Sequence, residues 1–252
     1  LFSDIRSFTS LSESMSPEEN FRFVNKYLSK MGPIVRDNHG YIDKYIGDSI
    51  MALFDRSPED AVHTSVKMLD ALRLYNKERI QEGNNPILIG IGVNTGKMML
   101  GTLGESDRME GSVISDAVNL AARLEGLTKL YKTPLLLSEE TFLKIGDSIF
   151  DTRLIDKVAV KGKENPVMVY EVLNGEYTDL RDAKISTLPK FKKGFELYQN
   201  QQFKNALEFF KTCIEKVPED GVADLYIERC KKLISSGWDT ETWDGINYMD
   251  AK

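Results

Sequence analysis

A predicted β-hairpin between two capped helices constrains the fold of this chain more than any other feature. Tyr41–Ile46 and Ser49–Phe54 are apolar runs of strand length, and Gly47-Asp48 separates them as a turn. A helix should precede the hairpin, because Ser16-Pro17-Glu18-Glu19 is a capping box with proline at the first helical position. A second helix, which again begins with Ser-Pro, should follow over about residues 57–81.

More strand-like and helical runs follow the second helix. Ile87–Asn94 and Lys97–Leu103 have the character of a strand pair broken at Gly96, and the polar stretch Gly104–Ser112 is predicted as a loop or extended arm. A third helix, a small helix and three short strands should follow, at Asp116–Leu130, Glu139–Ile145, Leu135–Ser138, Ile149–Val160 and Val167–Val172. The β-α-β-β-α-β order predicts an α+β fold, in which a mostly antiparallel, ferredoxin-like sheet carries its helices on one face.

The sequence changes character after the polar segment Asn174–Asp182. Beyond it, four residues fall at tetratricopeptide spacing, although lysines replace the early tryptophan and leucine of that repeat: Gly194, Ala206, Phe210 and Pro218. A single repeat cannot bury its own apolar face, so these helices should pack on the first domain, on a partner or on a second copy. We therefore predict a first domain, a linker, a tetratricopeptide-like helical hairpin and a tail, at residues 1–175, 176–187, 188–237 and 238–252.

Composition narrows the classes of protein to which the chain can belong. The formal net charge is −6 over 252 residues, so we expect no nucleic-acid partner. Cys213 and Cys230 are too few for a disulfide framework and suit a reducing, cytoplasmic compartment. The chain starts at Leu1 without a methionine, partway into a strand, so we interpret it as a fragment. An upstream sensor or membrane-tethering domain is expected outside it.

Two aspartates are the strongest candidates for a metal site. Asp4 lies in the run Phe2-Ser3-Asp4-Ile5, and Asp48 lies in the turn of the predicted hairpin. A carboxylate against an apolar strand is costly unless a cation meets it. Two convergent carboxylates suit divalent cations that also bind phosphate oxygens. The plainer alternative is one aspartate at a strand end and another in a turn, each common alone.

A polar pair on the third helix is the second candidate feature. Asn119 and Arg123 are four residues apart, so they share one face of the helix. The planar guanidinium of arginine suits contacts with phosphate better than an ammonium does. The alternative is the exposed polar stripe of an ordinary amphipathic helix. His39 and His63 have no nucleophile or ligand cluster near them in the sequence, so histidine-dependent catalysis is not expected.

Together these segments resemble the catalytic domain of class III adenylyl/guanylyl cyclases over about residues 1–173. The resemblance implies that Asp4, Asp48 and the Ile5 carbonyl bind two Mg²⁺ or Mn²⁺ ions. It also implies that Asn119 orients the ribose and that Arg123 meets the charge developing on the α-phosphate. In this family the sites form between two chains, so a homodimer with two composite sites is expected.

The same resemblance assigns residues to the nucleotide base. Lys44 would donate to N1 of adenine, and the Ser112 hydroxyl would accept from the 6-amino group. Guanylyl cyclases carry a glutamate where Lys44 stands, because guanine presents the opposite pattern. Adenylyl cyclases typically carry aspartate or threonine where Ser112 stands, and Gly111 and Ser115 also depart from the family pattern. These three departures concern base selectivity and the arm, rather than the metal site.

Phosphate contacts are expected at two places. The backbone amides around Phe8 and Thr9, where a strand should turn into a short helix, would bind phosphate oxygens. In Val160-Lys161-Gly162-Lys163, Lys161 resembles the lysine that meets the terminal phosphates, with Lys163 as the second choice. Lysine-glycine-lysine is also a common turn sequence, which is the alternative interpretation.

These residues favour an adenylyl cyclase that converts ATP to 3′,5′-cyclic AMP and pyrophosphate. Two alternatives stay open at this point: a guanylyl cyclase, and a catalytically weak cyclase-homology module that binds nucleotide or scaffolds partners. A diguanylate cyclase is rejected, because its Gly-Gly-(Asp/Glu)-Glu-Phe turn does not occur in the sequence.

Overall fold

The computed structural model describes residues 1–105, 108–146, 149–159, 166–236 and 243–248. Within these ranges the strands are β1 (Phe2–Ile5), β2 (Gly40–Ile46), β3 (Ser49–Phe54), β4 (Ile89–Val93), β5 (Met99–Glu105), β6 (Arg108–Ile114), β7 (Leu135–Ser138), β8 (Thr152–Ala159), β9 (Val167–Val172) and β10 (Asn247–Tyr248). The helices are α1 (Phe8–Glu13), α2 (Pro17–Asp37), α3 (Pro58–Gln81), α4 (Asp116–Tyr131), α5 (Glu139–Ile145), α6 (Thr178–Gln199), α7 (Phe203–Lys216) and α8 (Gly221–Ser236).

One mixed sheet organises the chain, with strand order β10-β8-β9-β7-β4-β1-β3-β2. β1 lies in its interior and pairs antiparallel with both β3 and β4. Two pairs are parallel, β4 with β7 and β10 with β8. The mixture of sheet and helices confirms the α+β class, and the interior position of β1 places Asp4 between two neighbouring strands.

Helices α2 and α3 cover one face of the sheet. Both begin as the sequence predicts: the Ser16 hydroxyl accepts from the Glu19 amide, and the Ser57 hydroxyl accepts from the Glu59 amide. Their buried residues pack against alternate residues of the central strands, including Ile89, Ile91 and Val93 of β4. The contact fixes which residues of β1, β3 and β4 point away from this core.

Helix α4 lies on the opposite face, so the prediction that the helices pack on one face is wrong. Gly90 and Gly92 alternate along β4 with Ile89, Ile91 and Val93, which face the core under α2 and α3, and therefore face α4. A Cβ atom at Gly92 would lie 2.2 Å from the Ala121 carbonyl oxygen, and one at Gly90 would overlap the Arg6 side chain. The two glycines thus allow the backbone of α4 to lie directly on the sheet.

The predicted pairing of β4 with β5 is also wrong. β4 is bonded along one edge to β1 and along the other to β7, so neither edge remains for β5. β5 instead pairs antiparallel with β6, forming a two-stranded sheet of its own. Part of the stretch predicted as a loop or extended arm, Gly104–Ser112, is therefore strand.

The C-terminal helices pack on the α4 side of the sheet. Their aromatic residues share one core with α4 and with the strands β7, β8 and β9: Phe191, Phe195, Tyr198, Phe203, Phe210 and Tyr226. The segment predicted as a linker, 176–187, is helical from Thr178 onward and buries Lys184. Trp243 contacts the rings of Tyr198 and Phe203, whereas Trp238 lies outside the described residues.

No helix in the described ranges combines the length and the hydropathy required to cross a bilayer.

Candidate active site

The structure brings Asp4 and Asp48 together at one end of the sheet. Asp4 is next to last in β1, and the β2–β3 turn carries Asp48 to the end of that strand. The Ile5 amide donates to Asp48 Oδ2 at 2.9 Å, and the Ser49 hydroxyl donates to Asp4 Oδ2. Gly47 has a φ of 62°, which glycine adopts without strain, so the turn that presents Asp48 depends on it.

The site is electrostatically unbalanced toward negative charge. Asp48 is only 7% exposed, and burial together with the nearby charge of Asp4 raises its pKa to about 6. Among the described residues, no group of three or more His, Cys, Asp or Glu side chains is placed to hold a metal ion. The site therefore offers two close carboxylates, one of them buried, as its charged donors.

Sequence reasoning missed an ion pair beside the two aspartates. Arg6 Nη1 lies 2.8 Å from Glu125 Oε1, and its Nη2 donates to the Glu125 carbonyl oxygen at 3.2 Å. Burial raises the pKa of Glu125 to about 7; Arg6 opposes the rise, while Asp4 and Asp48 add to it. The pair ties the end of β1 to α4, and no sequence spacing could have indicated a contact across 119 residues.

Helix α4 presents Asn119 and Arg123 on its exposed side. The Ser115 hydroxyl caps the helix by accepting from the Ala117 amide at 3.0 Å, and it donates to the Lys97 carbonyl oxygen. The predicted cap is therefore present. Asn119 and Arg123 are exposed one turn apart, whereas the neighbouring Leu120 and Leu124 are buried.

Lys44 lies on β2, close to the arm that contains Ser112. Its Nζ is 3.4 Å from Asp43 Oδ2, and the register of β2 against β3 shifts between Ile42 and Lys44. Such a shift lets consecutive side chains approach one another. In the arm, Ser112 pairs with Gly101 through the backbone, while its side chain lies outside what the structure describes. β6 packs against β2, so the arm and the Lys44 strand are neighbours.

The predicted phosphate contacts have different outcomes. Phe8 and Thr9 begin the first turn of α1, and two residues separate this helix from β1, so their amides lie close along the chain to Asp4. The Phe8 ring packs on the core and stacks with Phe23, so Phe8 can offer a phosphate its backbone amide but no side-chain donor. Lys161 and Lys163 lie outside the described residues.

Comparison with known proteins gives a consistent picture. Residues 1–174 match the family described as "Adenylate and Guanylate cyclase catalytic domain". The chain is 40% identical over 242 residues to "Adenylate cyclase, terminal-differentiation specific" of Dictyostelium discoideum, an alignment covering 93% of this chain and 11% of that protein. It is 46% identical over 179 residues to an adenylate cyclase of Anabaena cylindrica, covering 68% of this chain and 36% of the relative.

A solved structure shows a similar fold. The guanylyl cyclase Cya2 superposes with a TM-score of 0.61 at 34% identity, covering 68% of this chain and 89% of that one. The chain spans about a tenth of the length of the Dictyostelium relative and about a third of the length of the Anabaena relative. The Dictyostelium alignment extends beyond residue 174, so the likeness to that protein includes part of the C-terminal helices.

Proposed function

The chain belongs to the adenylate and guanylate cyclase catalytic domain family, and we propose that it is an adenylyl cyclase that converts ATP to 3′,5′-cyclic AMP and pyrophosphate. The observation that carries the proposal is the convergence of Asp4 and Asp48, joined through the Ile5 amide at 2.9 Å. Two carboxylates held this close, one of them buried, suit a ligand of opposite charge.

The donor set fits hard divalent cations. Magnesium usually binds proteins through one or two carboxylates and completes its shell with water and substrate phosphates, so a cluster of three acidic residues is not required. Asp4, Asp48 and the carbonyl of Ile5 would hold two Mg²⁺ or Mn²⁺ ions. Such ions, when bound, activate a hydroxyl for attack and neutralise charge on the triphosphate.

The chain's own polar groups would orient the nucleotide around that site. Asn119 would hold the ribose, and Arg123 would stabilise the negative charge that grows on the α-phosphate in the transition state. Their exposure on α4 supports these roles, because both side chains are accessible to a substrate. The amides of Phe8 and Thr9 would bind phosphate oxygens, and Lys161 the terminal phosphates.

We favour ATP over GTP because of Lys44. An ammonium can donate to N1 of adenine, whereas guanine carries a donor at the same place. Both curated relatives named above are adenylate cyclases. A guanylyl cyclase remains the second candidate: Ser112 departs from the residues typical of adenylyl cyclases, and the chain is 34% identical to a guanylyl cyclase of known structure.

We propose a homodimer in which Asp4 and Asp48 of one chain face Lys44, Asn119 and Arg123 of the other. Exposed apolar residues on the β5 strand support a protein contact there: Met99 is 77% exposed and Leu100 is 62% exposed. A catalytically weak cyclase-homology module is disfavoured. The four polar residues that an active cyclase site would require are all present in the sequence: Asp4, Asp48, Asn119 and Arg123.

We also propose a ferredoxin-like core, a tetratricopeptide-like helix pair and a cytoplasmic location. The consecutive strands β4-β1-β3-β2 with α2 and α3 on one face support a ferredoxin-like core. A tetratricopeptide-like pairing of α6 with α7 is supported by Gly194, where a Cβ atom would lie 3.1 Å from the Phe210 ring. We place the domain in the cytoplasm, within a longer protein that carries a sensor or membrane-tethering region.

Turnover of labelled ATP and GTP by the purified protein with Mn²⁺ tests the assignment. We expect cyclic AMP to form, and the double variant Lys44→Glu, Ser112→Cys to shift preference toward GTP. Discrimination against a base that leaves buried polar groups unpaired can reach ~10⁴-fold, with less in a wet site. Lys204→Glu, on the exposed side of α7, is the charge-matched control and should leave selectivity unchanged. Equal use of ATP and GTP by the wild type would refute base reading by Lys44.

A further inference from the structure

Building on the proposed function, we propose that α8 belongs to the catalytic unit: Arg229 and Gly221 are positioning residues that hold the C-terminal end of α4, the helix that carries Asn119 and Arg123. Both residues lie outside the segment that matches the cyclase family, residues 1–174. They would act on the reaction only through the placement of α4.

A buried aspartate connects the two helices. Asp156 of β8 is fully buried, and its Oδ2 accepts hydrogen bonds from the Tyr131 hydroxyl at 2.5 Å and from Arg229 Nη1 at 2.7 Å. Asn247 Nδ2 donates to its other oxygen at 2.5 Å. Tyr131 is the last residue of α4, so Arg229 neutralises the carboxylate that fixes the end of this helix.

The state of Tyr131 suits this role. Burial and the neighbouring Asp156 raise the pKa of the Tyr131 hydroxyl well above its ordinary value, so it stays protonated and donates. The Arg229 guanidinium also lies 5.0 Å from the centre of the Tyr226 ring, and the Tyr226 hydroxyl donates to the Ile155 carbonyl oxygen at 2.7 Å. Arg229 is thereby held against α8 while it binds Asp156.

The start of α8 touches the end of α4 directly. A Cβ atom at Gly221 would lie 2.5 Å from Cβ of Lys132 and 3.0 Å from the Tyr131 carbonyl oxygen. Lys132 is the left-handed residue that ends α4, so this contact occurs where the helix stops. Asp220 caps α8 and is itself held by Arg153 at 2.6 and 2.7 Å, which fixes the position of this contact.

Contacts at the C-terminal end of α4 affect the position of Arg123, because the helix moves as a rigid element. The middle of the helix rests on Gly92, Arg6 binds Glu125, and Asn94 donates to the Ala117 carbonyl oxygen near its start, so the contacts at Tyr131 set the position of its other end. Arg123 precedes Tyr131 by eight residues, which is ~12 Å along a helix. A misplacement of ~1 Å at a catalytic group can reduce turnover about 10²-fold, so a small tilt would be visible in kcat.

Arg229→Ala tests the inference, with Arg229→Lys as the conservative variant. Gly221→Ala, whose added Cβ would lie 2.5 Å from Cβ of Lys132, is a second change that should also lower kcat. At a temperature where circular dichroism shows folded protein, we expect kcat to fall about tenfold and KM for ATP to change much less. Arg229→Lys should recover most of the loss. Amide hydrogen exchange across residues 116–131 should become faster in Arg229→Ala. Phe203→Leu, in the same C-terminal core but against Tyr198 and Trp243, is the control for destabilisation of that core and should leave kcat of the folded protein unchanged.

A double-mutant cycle separates positioning from general destabilisation. In an Arg123→Ala background, Arg229→Ala should reduce kcat by a smaller factor than in the wild type, because one of the two groups that it positions, Arg123, is gone while Asn119 remains. Unchanged kcat and exchange in folded Arg229→Ala protein, or losses that multiply independently of Arg123, would overturn the inference. A wild type without any turnover would instead refute the proposed function, and the exchange experiment would still decide whether α8 holds α4.

Discussion

Two groups of charges in this molecule are built in opposite ways. At the candidate active site, Asp4 and Asp48 lie together with charges of the same sign. At the junction with the C-terminal helices, Arg153 binds Asp220 at 2.6 and 2.7 Å and Glu171 at 2.5 Å. At the junction each charge is paired with an opposite charge of the same chain, whereas Asp4 and Asp48 do not neutralise each other.

The junction shows how buried charges are stabilised internally. Lys184 is 1% exposed and binds Glu171 at 2.8 Å and Glu176 at 2.5 Å. Burial alone would raise the pKa of Glu171, but Arg153 and Lys184 outweigh it and hold that pKa well below its usual range. At Asp48 the same burial is reinforced by Asp4, and the pKa rises. Glu171 and Asp48 are both buried, and they differ in that cations of the chain itself contact Glu171, whereas the charge nearest to Asp48 is another carboxylate.

Removing the C-terminal helices should have the largest effect. A chain that ends at Gly175 exposes the apolar side of β7, β8 and β9 and leaves Arg153 without Asp220. Because one unpaired buried charge costs ~3–5 kcal/mol, we expect the shortened chain to aggregate or to lose more than ~5 kcal/mol of unfolding free energy. Size-exclusion chromatography and thermal melting measure this. A chain that ends at Ser236 is the comparison: it loses the contacts of Trp243 and Asn247 but keeps α6, α7 and α8, so it should be destabilised much less. A monodisperse short chain that melts within a few degrees of the intact one would contradict the integrated junction.

Breaking the junction at one residue comes next. Arg153→Ala leaves Glu171 and Asp220 buried with less positive charge, so we expect a loss of ~3–5 kcal/mol in denaturant unfolding. Arg22→Ala is the matched control: Arg22 also pairs with a glutamate, but its side chain is 72% exposed, and exposed pairs contribute at most ~1 kcal/mol. Equal losses in the two variants would mean that the junction behaves as surface charge.

The fold could be predicted where the signals are local. The bounds of α3 follow from its own capping serine, proline and periodicity, and Pro58–Gln81 is close to the predicted segment. The face that α4 covers was predicted wrongly, because it depends on where α4 lies on the sheet, beyond the reach of local pattern. The alternation of Gly90 and Gly92 with isoleucines was the available signal, since it leaves one side of β4 without side chains.

Some contacts of the candidate site could also be predicted from local sequence, and others could not. The closeness of Asp4 and Asp48 was predictable, because one lies at a strand end and the other in a hairpin turn of the same sheet. The pairing of Arg6 with Glu125 joins residues 119 positions apart and required the three-dimensional structure. Lys184 was assigned to the linker 176–187 because this stretch follows a polar segment, and its contacts with Glu171 and Glu176 required the three-dimensional structure.

Mixing two inactive variants tests whether the active site is shared between chains. Asp48→Asn and Arg123→Ala should each lower turnover roughly 10²-fold or more. If the two residues act in one site from different chains, mixed dimers contain one intact site, and random exchange should restore about a quarter of wild-type activity. The measurement is cyclic AMP formation after subunit exchange, verified with differently tagged chains. Mixtures that exchange yet stay inactive would rule out a composite site.

The smallest expected effect is that of Asp48→Asn on stability. This substitution should stabilise the metal-free protein, whereas Arg153→Ala should destabilise it. Asp48→Asn removes a buried charge that lies beside Asp4, while the amide oxygen can still accept from the Ile5 amide. We therefore expect the metal-free variant to be more stable than the wild type at pH 8. Asp55→Asn, at an exposed position after β3, should have no such effect.

The pH dependence gives this prediction its sign. Because the pKa of Asp48 is about 6 when folded and near its ordinary value of 3.8 when unfolded, the folded state disfavours ionisation. The cost is absent below pH ~4, grows as the pH rises through 6, and reaches at most about 3 kcal/mol above it. The imperfect amide replacement should reduce the gain of Asp48→Asn to ~1–2 kcal/mol, or about 2–8 °C in melting temperature.

Mn²⁺ should raise the melting temperature of the wild type more than that of the variant, since binding of the ion needs the Asp48 carboxylate. An Asp48→Asn protein that melts below the wild type at pH 8 without metal would show that Asp48 is stabilised within the chain, as the charges of the junction are.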